Sequence, residues 1–280
     1  CLSDGYEPGS TFKVLTMAAA LDSGAIDLDT NFYCKGSEQI PGRSQLLHCW
    51  RSTGHGAEKT PQALQNSCNI AFAHIALKMG GEIFYEYVQR FGVLEKTGID
   101  LSGESKGVFF SRELVTDTDK WGTASLTSGS FGQTFKLTPL QLVRAISSVV
   151  NGGYLLEPYI VSQVVDSQGN TVLQQEKTVL RQTISEETSK IMCRLMASVV
   201  SVGASLGSVA RTSGGLVGSS AGRLQAHRHR ARHRQRMRIR LRFIIRHLDL
   251  HNIIFYDTMG VSKKQDKRHE RKAQFRCICE

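Results

Sequence analysis

Ser10 and Lys13 are the first residues whose types and spacing indicate chemistry. Tyr6–Gly9 precedes them and ends in Pro-Gly, and the apolar run Val14–Leu21 follows. Because Pro-Gly favours a turn and the run is rich in helix formers, we expect Ser10 at a helix N-terminus, with Lys13 one turn later on the same face. A hydroxyl beside an amine that can take its proton is an activated nucleophile, and free N–H groups at a helix start can help hold an oxyanion. A capping serine and a solvated lysine are the alternative for an isolated Ser-x-x-Lys.

Ser67 and Asn69 form a second pair that can face one cleft. Thr60 is predicted to be a helix N-cap with Pro61 at the first helical position, and a further apolar helix follows Asn69. At a junction between two helices, the hydroxyl of Ser67 can pass a proton and the amide of Asn69 can hold a peptide group. A capping pair is the alternative for an isolated Ser-x-Asn. The position of this pair downstream of the first one argues against that alternative.

Five segments of the chain occur in the same order as in one known family, and at similar intervals. They are Tyr6–Lys13, Gln65–Asn69, Thr97–Glu104, Ser130–Gln133 and Leu137–Leu142. On these residues the chain resembles the transpeptidase domain of class B penicillin-binding proteins, over residues 1 to about 203. The resemblance implies an α/β (α+β) fold of the penicillin-binding-protein transpeptidase and serine β-lactamase-like type. Since that family's sheet strands precede the nucleophile and follow the matched region, we expect mostly the helical part of the fold, with the sheet incomplete.

The resemblance also implies a role for each of the four candidate residues. Ser10 is the acylated nucleophile and Lys13 is its general base. Ser67 relays a proton to the leaving amine, and Asn69 binds the backbone of the donor peptide. The implied substrates are peptidoglycan stem peptides that end in D-alanyl-D-alanine, and β-lactams imitate that dipeptide and trap the serine. The implied reaction is a D,D-transpeptidation, and it calls for no cofactor.

The Lys-Thr/Ser-Gly strand that the family needs opposite its nucleophile is missing from the expected place. That strand supplies a cation for the substrate carboxylate and a second N–H for the oxyanion. It should follow the helix that contains Ile191–Val200, and no such sequence stands there. Lys96–Gly98 has the right residue types, but it precedes Gly132-Gln133, and we interpret it as a loop. The resemblance therefore implies a transpeptidase domain that is inactive as written.

The last part of the chain differs from the rest in charge. Residues 1–203 carry 17 Lys and Arg against 20 Asp and Glu, whereas residues 204–280 carry 18 against five. Arginine stands at every second position from Arg228 to Arg242. This period leaves a helix no apolar face and would stack like charges along a strand. We therefore predict two parts: a partial transpeptidase domain over 1–203 and a disordered, basic Arg/His-rich tail over 204–280.

Two interpretations of this tail stay open. One is a genuine arginine-rich segment that binds nucleic acid or another polyanion through phosphate contacts. The other, which we favour, is that codons after about residue 203 are read out of frame, because G/C-rich codons read in the wrong frame give basic runs. Under the second interpretation we expect no nucleic-acid partner. His227, His229 and His233 lie in the same tail, where they could bind a metal ion opportunistically.

Periodicity and capping residues predict further elements within residues 1–203. We predict helices at Glu82–Phe91 and Thr138–Asn151, a β-hairpin from Tyr159–Val165 and Thr171–Leu173, and a helix that starts at Ser185. The last helix carries one apolar stripe, which we assign to the core. The stripe consists of Ile191, Met192, Leu195, Met196, Val199 and Val200.

The cysteines of the first part allow more than one interpretation. Cys34 and Cys49 flank a loop, and they either pair as a disulfide outside the cytoplasm or stay free thiols. Cys68 lies inside the second motif and is predicted to pack rather than react. His55 is predicted to have a structural or hydrogen-bonding role. No Cys/His set in residues 1–203 has convincing zinc spacing, so no metal ligand is predicted there.

The resemblance implies a location and partners, and two rival functions stay open. We expect the intact protein at the extracytoplasmic face of the bacterial cell membrane, with the cell-wall synthesis machinery, and anchored by an N-terminal segment that precedes Cys1. The chain shows no signal peptide and no run of about 18 apolar residues. A class D-like β-lactamase or β-lactam sensor shares Ser-Thr-Phe-Lys, but Asn69 and the Thr138–Leu142 segment argue against it. A non-catalytic polyanion-binding protein is the other rival, and it depends on the tail.

Overall fold

Helices make up most of the computed structural model, which describes residues 1–117 and 122–212, with side chains up to residue 200. A 3-10 turn at Gly9–Thr11 leads directly into the first helix. The helices of the described residues are α1 Lys13–Asp22, α2 Thr60–Gln65, α3 Asn69–Met79, α4 Gly81–Arg90, α5 Arg112–Thr116, α6 Gly122–Ser130, α7 Pro139–Val150 and α8 Glu186–Thr212. Residues Cys1–Val209 form one compact unit.

The strands of the described residues are short and pair only two by two. They are β1 Asn31–Cys34, β2 Ser37–Glu38, β3 Leu47–His48, β4 Gly56–Lys59, β5 Tyr154–Leu156, β6 Gln163–Val165, β7 Thr171–Gln174 and β8 Val179–Gln182. The antiparallel pairs are β1 with β4, β2 with β3, β5 with β8, and β6 with β7. This mixture of helices with incomplete sheets confirms the expected fold class.

The core lies around α1 and α3, which pack on each other. Every residue from Lys13 to Ala20 is buried, so α1 is enclosed on all sides rather than amphipathic. An aromatic cluster holds the start of this helix: the Phe12 ring lies 4.8 Å from that of Phe135, which lies 4.6 Å from that of Phe109. Edge-on contacts between buried rings stabilise the fold beyond the area they bury. The residue pair Ser10 and Lys13 is thus carried by a firmly packed element.

Helix α7 also packs on the core. The hydrogen bonds at its start explain the residue types of the Leu137–Leu142 segment. Thr138 caps the helix, its hydroxyl accepting from the Gln141 N–H at 3.2 Å. The Gln141 amide is fully buried and bonds outward, because Nε2 donates to the carbonyls of Val93 and Glu95. The segment therefore both starts a helix and fastens a neighbouring loop.

Several predicted elements are confirmed: the helix ends shift by one residue, and the first hairpin strand starts at Gln163 rather than at Tyr159. Helices α4 and α7 correspond to the predictions at Glu82–Phe91 and Thr138–Asn151, and β6 and β7 form the predicted hairpin. The prediction of Thr60 as an N-cap is wrong, because Lys59 holds that position and Thr60 is already helical. The Thr60 hydroxyl donates instead to the Asp27 carbonyl at 2.6 Å, so it serves a loop contact.

Helix α8 confirms the predicted helix but changes the interpretation of its apolar stripe. Met192 and Leu195 are buried, whereas Val200 is 45% exposed. The stripe therefore contributes to the core only in its N-terminal part. The helix continues to Thr212, past the predicted domain boundary at residue 203. Apart from that end of α8, the predicted basic tail lies outside the described residues.

Candidate active site

Lys13 is the centre of the candidate site. It is the first residue of α1, and its side chain is only 1% exposed. The Nζ atom donates three hydrogen bonds, to the Ser67 carbonyl at 2.7 Å, to the Ser67 hydroxyl at 3.0 Å and to Asn69 Oδ1 at 2.7 Å. All three hydrogen-bonding positions of the amine are thus directed at the second motif.

Burial also changes the protonation of this amine. Desolvation lowers the pKa of Lys13 from its ordinary value of 10.5 to about 7, and the nearby groups Cys68, Cys49 and Glu58 oppose part of that shift. The rings of Phe72 and Phe131 lie 5.2 Å and 6.0 Å from Nζ and add to the apolar surroundings. Near neutral pH a large fraction of the lysine is therefore uncharged and able to accept a proton.

Ser10 lies in the 3-10 turn that leads into α1, half-buried and one turn before Lys13. The turn is fastened to the Ser130–Gln133 segment, because the Gly9 N–H donates to the Gly132 carbonyl at 2.8 Å. Gly132 has a φ of +79°, and a Cβ there would lie 2.1 Å from the Gly9 carbonyl oxygen, so only glycine fits this approach. Within the described residues no hydrogen bond joins the Ser10 hydroxyl to Lys13; Ser10 precedes the first residue of α1 by three positions.

Ser67 and Asn69 occupy the junction between α2 and α3, as the sequence predicts. Ser67 has a φ of +50°, a left-handed conformation that costs free energy for a residue with a side chain. Main-chain bonds hold it there, from Ser67 N to the Leu64 carbonyl and from Cys68 N to the Ala63 carbonyl, each 3.0 Å. Asn69 Nδ2 donates to the His48 carbonyl at 3.2 Å. The junction is therefore held with the Ser67 and Asn69 oxygens directed at Lys13.

Lys96–Gly98 is a loop, as predicted from its position. The Thr97 N–H donates to Glu104 Oε1 at 2.6 Å, and the Gly98 N–H donates to Glu104 Oε2 at 3.1 Å. Arg144 closes the other side by donating to the Thr97 carbonyl at 3.0 Å. The N–H groups of Thr97 and Gly98 thus both bond to Glu104. Within the described residues no other Lys-Thr-Gly sequence occurs.

Four metal-ligating side chains converge beside the second motif, although their spacing in the sequence predicted no such group. The ligand atoms of Cys34, Cys49, His55 and Cys68 all lie within 4.8 Å of one another. Cys34 and Cys49, for which a disulfide was one of two open interpretations, are free thiols, as is Cys68. Cys68 stands between the candidate residues Ser67 and Asn69, so this cluster adjoins the candidate site.

The signal that could have found this cluster is strand pairing rather than motif spacing. Cys34 is the last residue of β1 and pairs with Gly56 of β4, which places His55 beside it. Cys49 follows β3, and its N–H donates to the Gly36 carbonyl at 2.8 Å. Both strands have only four residues, and β4 is mostly small and polar, so the sequence gives little indication that β1 and β4 pair.

Known proteins resemble most of this chain. A family model described as the penicillin binding protein transpeptidase domain matches residues 1–217. Stage V sporulation protein D from Bacillus subtilis is 40% identical over 222 residues, covering 79% of this chain and 33% of that protein. Peptidoglycan D,D-transpeptidase MrdA from Acinetobacter baumannii is 34% identical over 159 residues, covering 56% of this chain and 24% of that protein. The chain thus spans a third or less of the length of these relatives.

Solved structures show the same fold. A peptidoglycan synthetase from Bifidobacterium adolescentis is 28% identical with a TM-score of 0.63, covering 71% of this chain and 35% of that one. Penicillin-binding protein A from M. tuberculosis, solved as a ceftriaxone acyl-enzyme complex, is 23% identical with a TM-score of 0.62. That likeness covers 72% of this chain and 44% of the other. Among the described residues, no helix of the present chain has the length and apolar character needed to cross a membrane.

Proposed function

The chain belongs to the penicillin-binding protein transpeptidase domain family, and from that premise we propose that it carries the acyl-enzyme chemistry of a peptidoglycan D,D-transpeptidase. One observation carries this proposal: Lys13 Nζ donates hydrogen bonds to Ser67 and Asn69. Lys13 lies on α1, the helix that Ser10 precedes. A buried amine with a pKa of about 7 is a competent general base at neutral pH. Beside a serine hydroxyl, it provides the activation that a covalent mechanism needs.

In the first half-reaction, neutral Lys13 takes the proton of the Ser10 hydroxyl as Oγ attacks the carbonyl carbon of the penultimate D-alanine. The tetrahedral intermediate then collapses and the peptide C–N bond breaks. Lys13 returns its proton through the Ser67 hydroxyl to the leaving nitrogen, since Nζ and that hydroxyl are already 3.0 Å apart. The products are a Ser10 ester and free D-alanine. In the second half-reaction, an amine of another stem peptide attacks the ester, forms the cross-link and restores Ser10.

Asn69 holds both the base and the substrate in this proposal. Its Oδ1 accepts from Lys13, while its Nδ2 donates to the His48 carbonyl at 3.2 Å. A bound stem peptide would offer a carbonyl to Nδ2 in place of His48. A β-lactam follows the same route, except that its leaving nitrogen stays tethered to the acyl group, so no second amine replaces it and Ser10 stays blocked.

The missing Lys-Thr-Gly strand limits what the chain as written can do. Without that cation and N–H, the substrate carboxylate and the oxyanion each lose a partner, and loss of one oxyanion donor slows catalysis by about a hundredfold or more. We therefore expect slow acylation at Ser10 and no turnover to a cross-link. The intact protein would act at the extracytoplasmic face of the membrane on peptidoglycan stem peptides, beside the cell-wall synthesis machinery.

Labelling of the full chain with a fluorescent penicillin tests the proposal. We expect slow covalent labelling that benzylpenicillin blocks, and none in Ser10→Ala or Lys13→Ala. Ser111→Ala, at the N-cap of α5, is a matched control that should label like the unchanged chain. Labelling that persists in Ser10→Ala, or no labelling at all, would overturn the proposal. Rapid release of the label by water would favour the class D-like β-lactamase instead.

A further inference from the structure

We propose that Trp50 and Glu58 are positioning residues for the reaction. They hold Asn66, and through it they fix the conformation in which the Ser67 hydroxyl contacts Lys13. Both act through Asn66 rather than on the reacting atoms. The inference rests on the proposed function, in which Ser67 passes the proton to the leaving nitrogen.

The conformation of Ser67 needs support from its surroundings. Its φ of +50° lies in the left-handed region, which a residue with a side chain adopts only where neighbouring contacts hold it. In this conformation both the carbonyl and the hydroxyl of Ser67 accept from Lys13 Nζ, at 2.7 Å and 3.0 Å. Relaxation to a negative φ would turn Ser67 relative to the peptide group that precedes it. The two oxygens would then no longer both face the amine.

The peptide group between Asn66 and Ser67 is bonded at both of its polar atoms. The Trp50 indole Nε1–H donates to the Asn66 carbonyl at 2.9 Å, and the Ser67 N–H donates to the Leu64 carbonyl at 3.0 Å. Since the plane of this peptide group is one of the two planes that define φ of Ser67, the bonds restrict that angle. Trp50 therefore acts on the Ser67 backbone from a loop outside α2 and α3.

The side chain of Asn66 is held from a strand. Glu58 lies in β4, is only 3% exposed, and its Oε1 accepts from Asn66 Nδ2 at 2.7 Å. Removing a carboxyl group from water costs free energy, which hydrogen bonds to buried partners offset. A hydrogen bond to a carboxylate contributes more than one between two neutral groups. Asn66 is thus fastened at its side chain by β4 and at its carbonyl by the loop that carries Trp50.

A purely structural role is the rival explanation, because loss of these contacts would then loosen the domain and slow every reaction alike. Positioning of Ser67 has a narrower consequence. The β-lactam nitrogen takes up a proton as its C–N bond breaks, and in the proposed mechanism that proton passes through the Ser67 hydroxyl. When Ser10 Oγ attacks a thioester, the C–S bond breaks, the thiolate leaves without a proton, and the proton of Ser10 stays on Lys13. A displaced Ser67 should therefore slow acylation by a β-lactam and spare acylation by a thioester.

Acylation of the full chain by two probes at about pH 8 tests the inference. Intact mass would follow benzylpenicillin, and single-turnover thiol release would follow the thioester N-benzoyl-D-alanyl thioglycolate. We expect Asn66→Ala, Trp50→Phe and Glu58→Ala to slow acylation by benzylpenicillin about tenfold to a hundredfold, and by the thioester less than about threefold. Glu58→Gln keeps an acceptor for Asn66 and should react like the unchanged chain. Ser67→Ala should show the same preference for the thioester.

Hydrogen exchange of the unliganded chain is a second measurement, and it needs no reaction. The amide hydrogens of Ser67 and Cys68 bond to carbonyls of α2, and they should exchange at least about tenfold faster in Asn66→Ala than in the unchanged chain. Asn151→Ala is the matched control, because its amide bonds the main chain of Tyr154 in the turn after α7. It should change neither exchange at the junction nor either acylation rate.

The possible outcomes separate this inference from the proposed function. Equal slowing with both probes, or unchanged exchange at the junction in Asn66→Ala, would overturn the inference. If the unchanged chain reacts with neither probe, the proposed function fails, while faster exchange confined to the junction would still support the positioning of Ser67. If Glu58→Ala fails to fold, Trp50→Phe, which keeps an aromatic ring in the loop, still decides.

Discussion

Lys13 shows how burial lowers the pKa of a common side chain. An exposed lysine keeps its proton far above neutral pH, whereas this one is enclosed by Phe72, Phe131 and the second motif, and its pKa falls to about 7. The three acceptors around Nζ are oxygen atoms without full charge, so they orient the amine and do not restore its usual pKa. The proposed activation of Ser10 depends on this environment.

The pH dependence of acylation follows from that pKa. The neutral amine is the active form, and its fraction rises with pH through about 7, so the single-turnover rate of Ser10 acylation by benzylpenicillin should rise about tenfold between about pH 6 and pH 8. Stopped reactions analysed by intact mass would measure the rate. Lys13→Arg, which stays cationic at all these pH values, is the control and should show no acylation. A rate independent of pH would contradict the assignment of Lys13 as the base.

Asn69→Asp tests the same residue through its neighbour. The substitution keeps the shape of the side chain but places a carboxylate where Oδ1 now lies 2.7 Å from Nζ. A close opposite charge stabilises the ammonium form, so the pH profile of acylation should move upward by about 1–3 pH units. Asn170→Asp, in an exposed turn, should leave the profile unchanged. An unshifted profile in Asn69→Asp would mean that the amide is not close to the base in solution.

The sequence predicted Ser10, Lys13, Ser67 and Asn69 because each lies in a short local pattern with a chemical meaning. It did not predict their mutual geometry: the bonds of Lys13 to the second motif depend on how α1 packs on α3. The Cys/His cluster was missed for the same reason. Its members come together only when β1 pairs with β4 and the connection between them closes on Cys68.

Among the secondary-structure elements, α7 has a start that both caps the helix and bonds to a distant loop. Gln141 completes the capping box with Thr138 and also holds the carbonyls of Val93 and Glu95. Periodicity predicted the helix, because its apolar face is strongly one-sided, but it could not show that the capping glutamine bonds to a distant loop. At Thr60 the sequence predicted a cap that the structure does not have. Its hydroxyl donates to the Asp27 carbonyl and so does not cap α2.

Gln141→Leu should therefore destabilise the folded chain. It keeps the volume but leaves the buried Val93 carbonyl and the buried Thr138 N–H without their partner, at a cost of about 2–4 kcal/mol. The shift of the urea unfolding midpoint, followed by tryptophan fluorescence, measures this. Gln174→Leu, on the exposed face of β7, is the control and should change stability by less than about 0.5 kcal/mol. Equal stability of the two variants would show that these buried bonds contribute little.

At the scale of the whole molecule, the chain combines a well-packed helical region with strands that pair only two by two. Residues Cys1–Val209 form a compact unit, and the family model matches nearly the same part of the chain. The composition of residues 204–280 differs sharply from that of this unit. The division at residue 203 remains a prediction from composition, and no local pattern in the sequence could show that α8 runs on to Thr212.

The out-of-frame interpretation of the tail makes a direct prediction about the gene. We expect that another forward frame of the DNA encoding residues 195–280 continues into a Lys-Thr-Gly-type strand and further sheet strands. Sequencing that DNA and translating all three forward frames measures this. If the printed frame is confirmed and the others contain many stop codons, the tail is genuine. Nucleic-acid binding that weakens steeply with salt would then become the leading expectation for it.

Finding which residue a β-lactam acylates tests the proposed roles of Ser10 and Lys13 most directly. The full chain would be incubated with benzylpenicillin near pH 8, its intact mass measured, and the adduct mapped by peptide mass spectrometry. We expect a single added penicilloyl group on the peptide that contains Ser10, and its loss in Ser10→Ala. An adduct on any other residue, or an unmodified chain after prolonged incubation, would contradict the claim that Ser10 and Lys13 form an acylation centre.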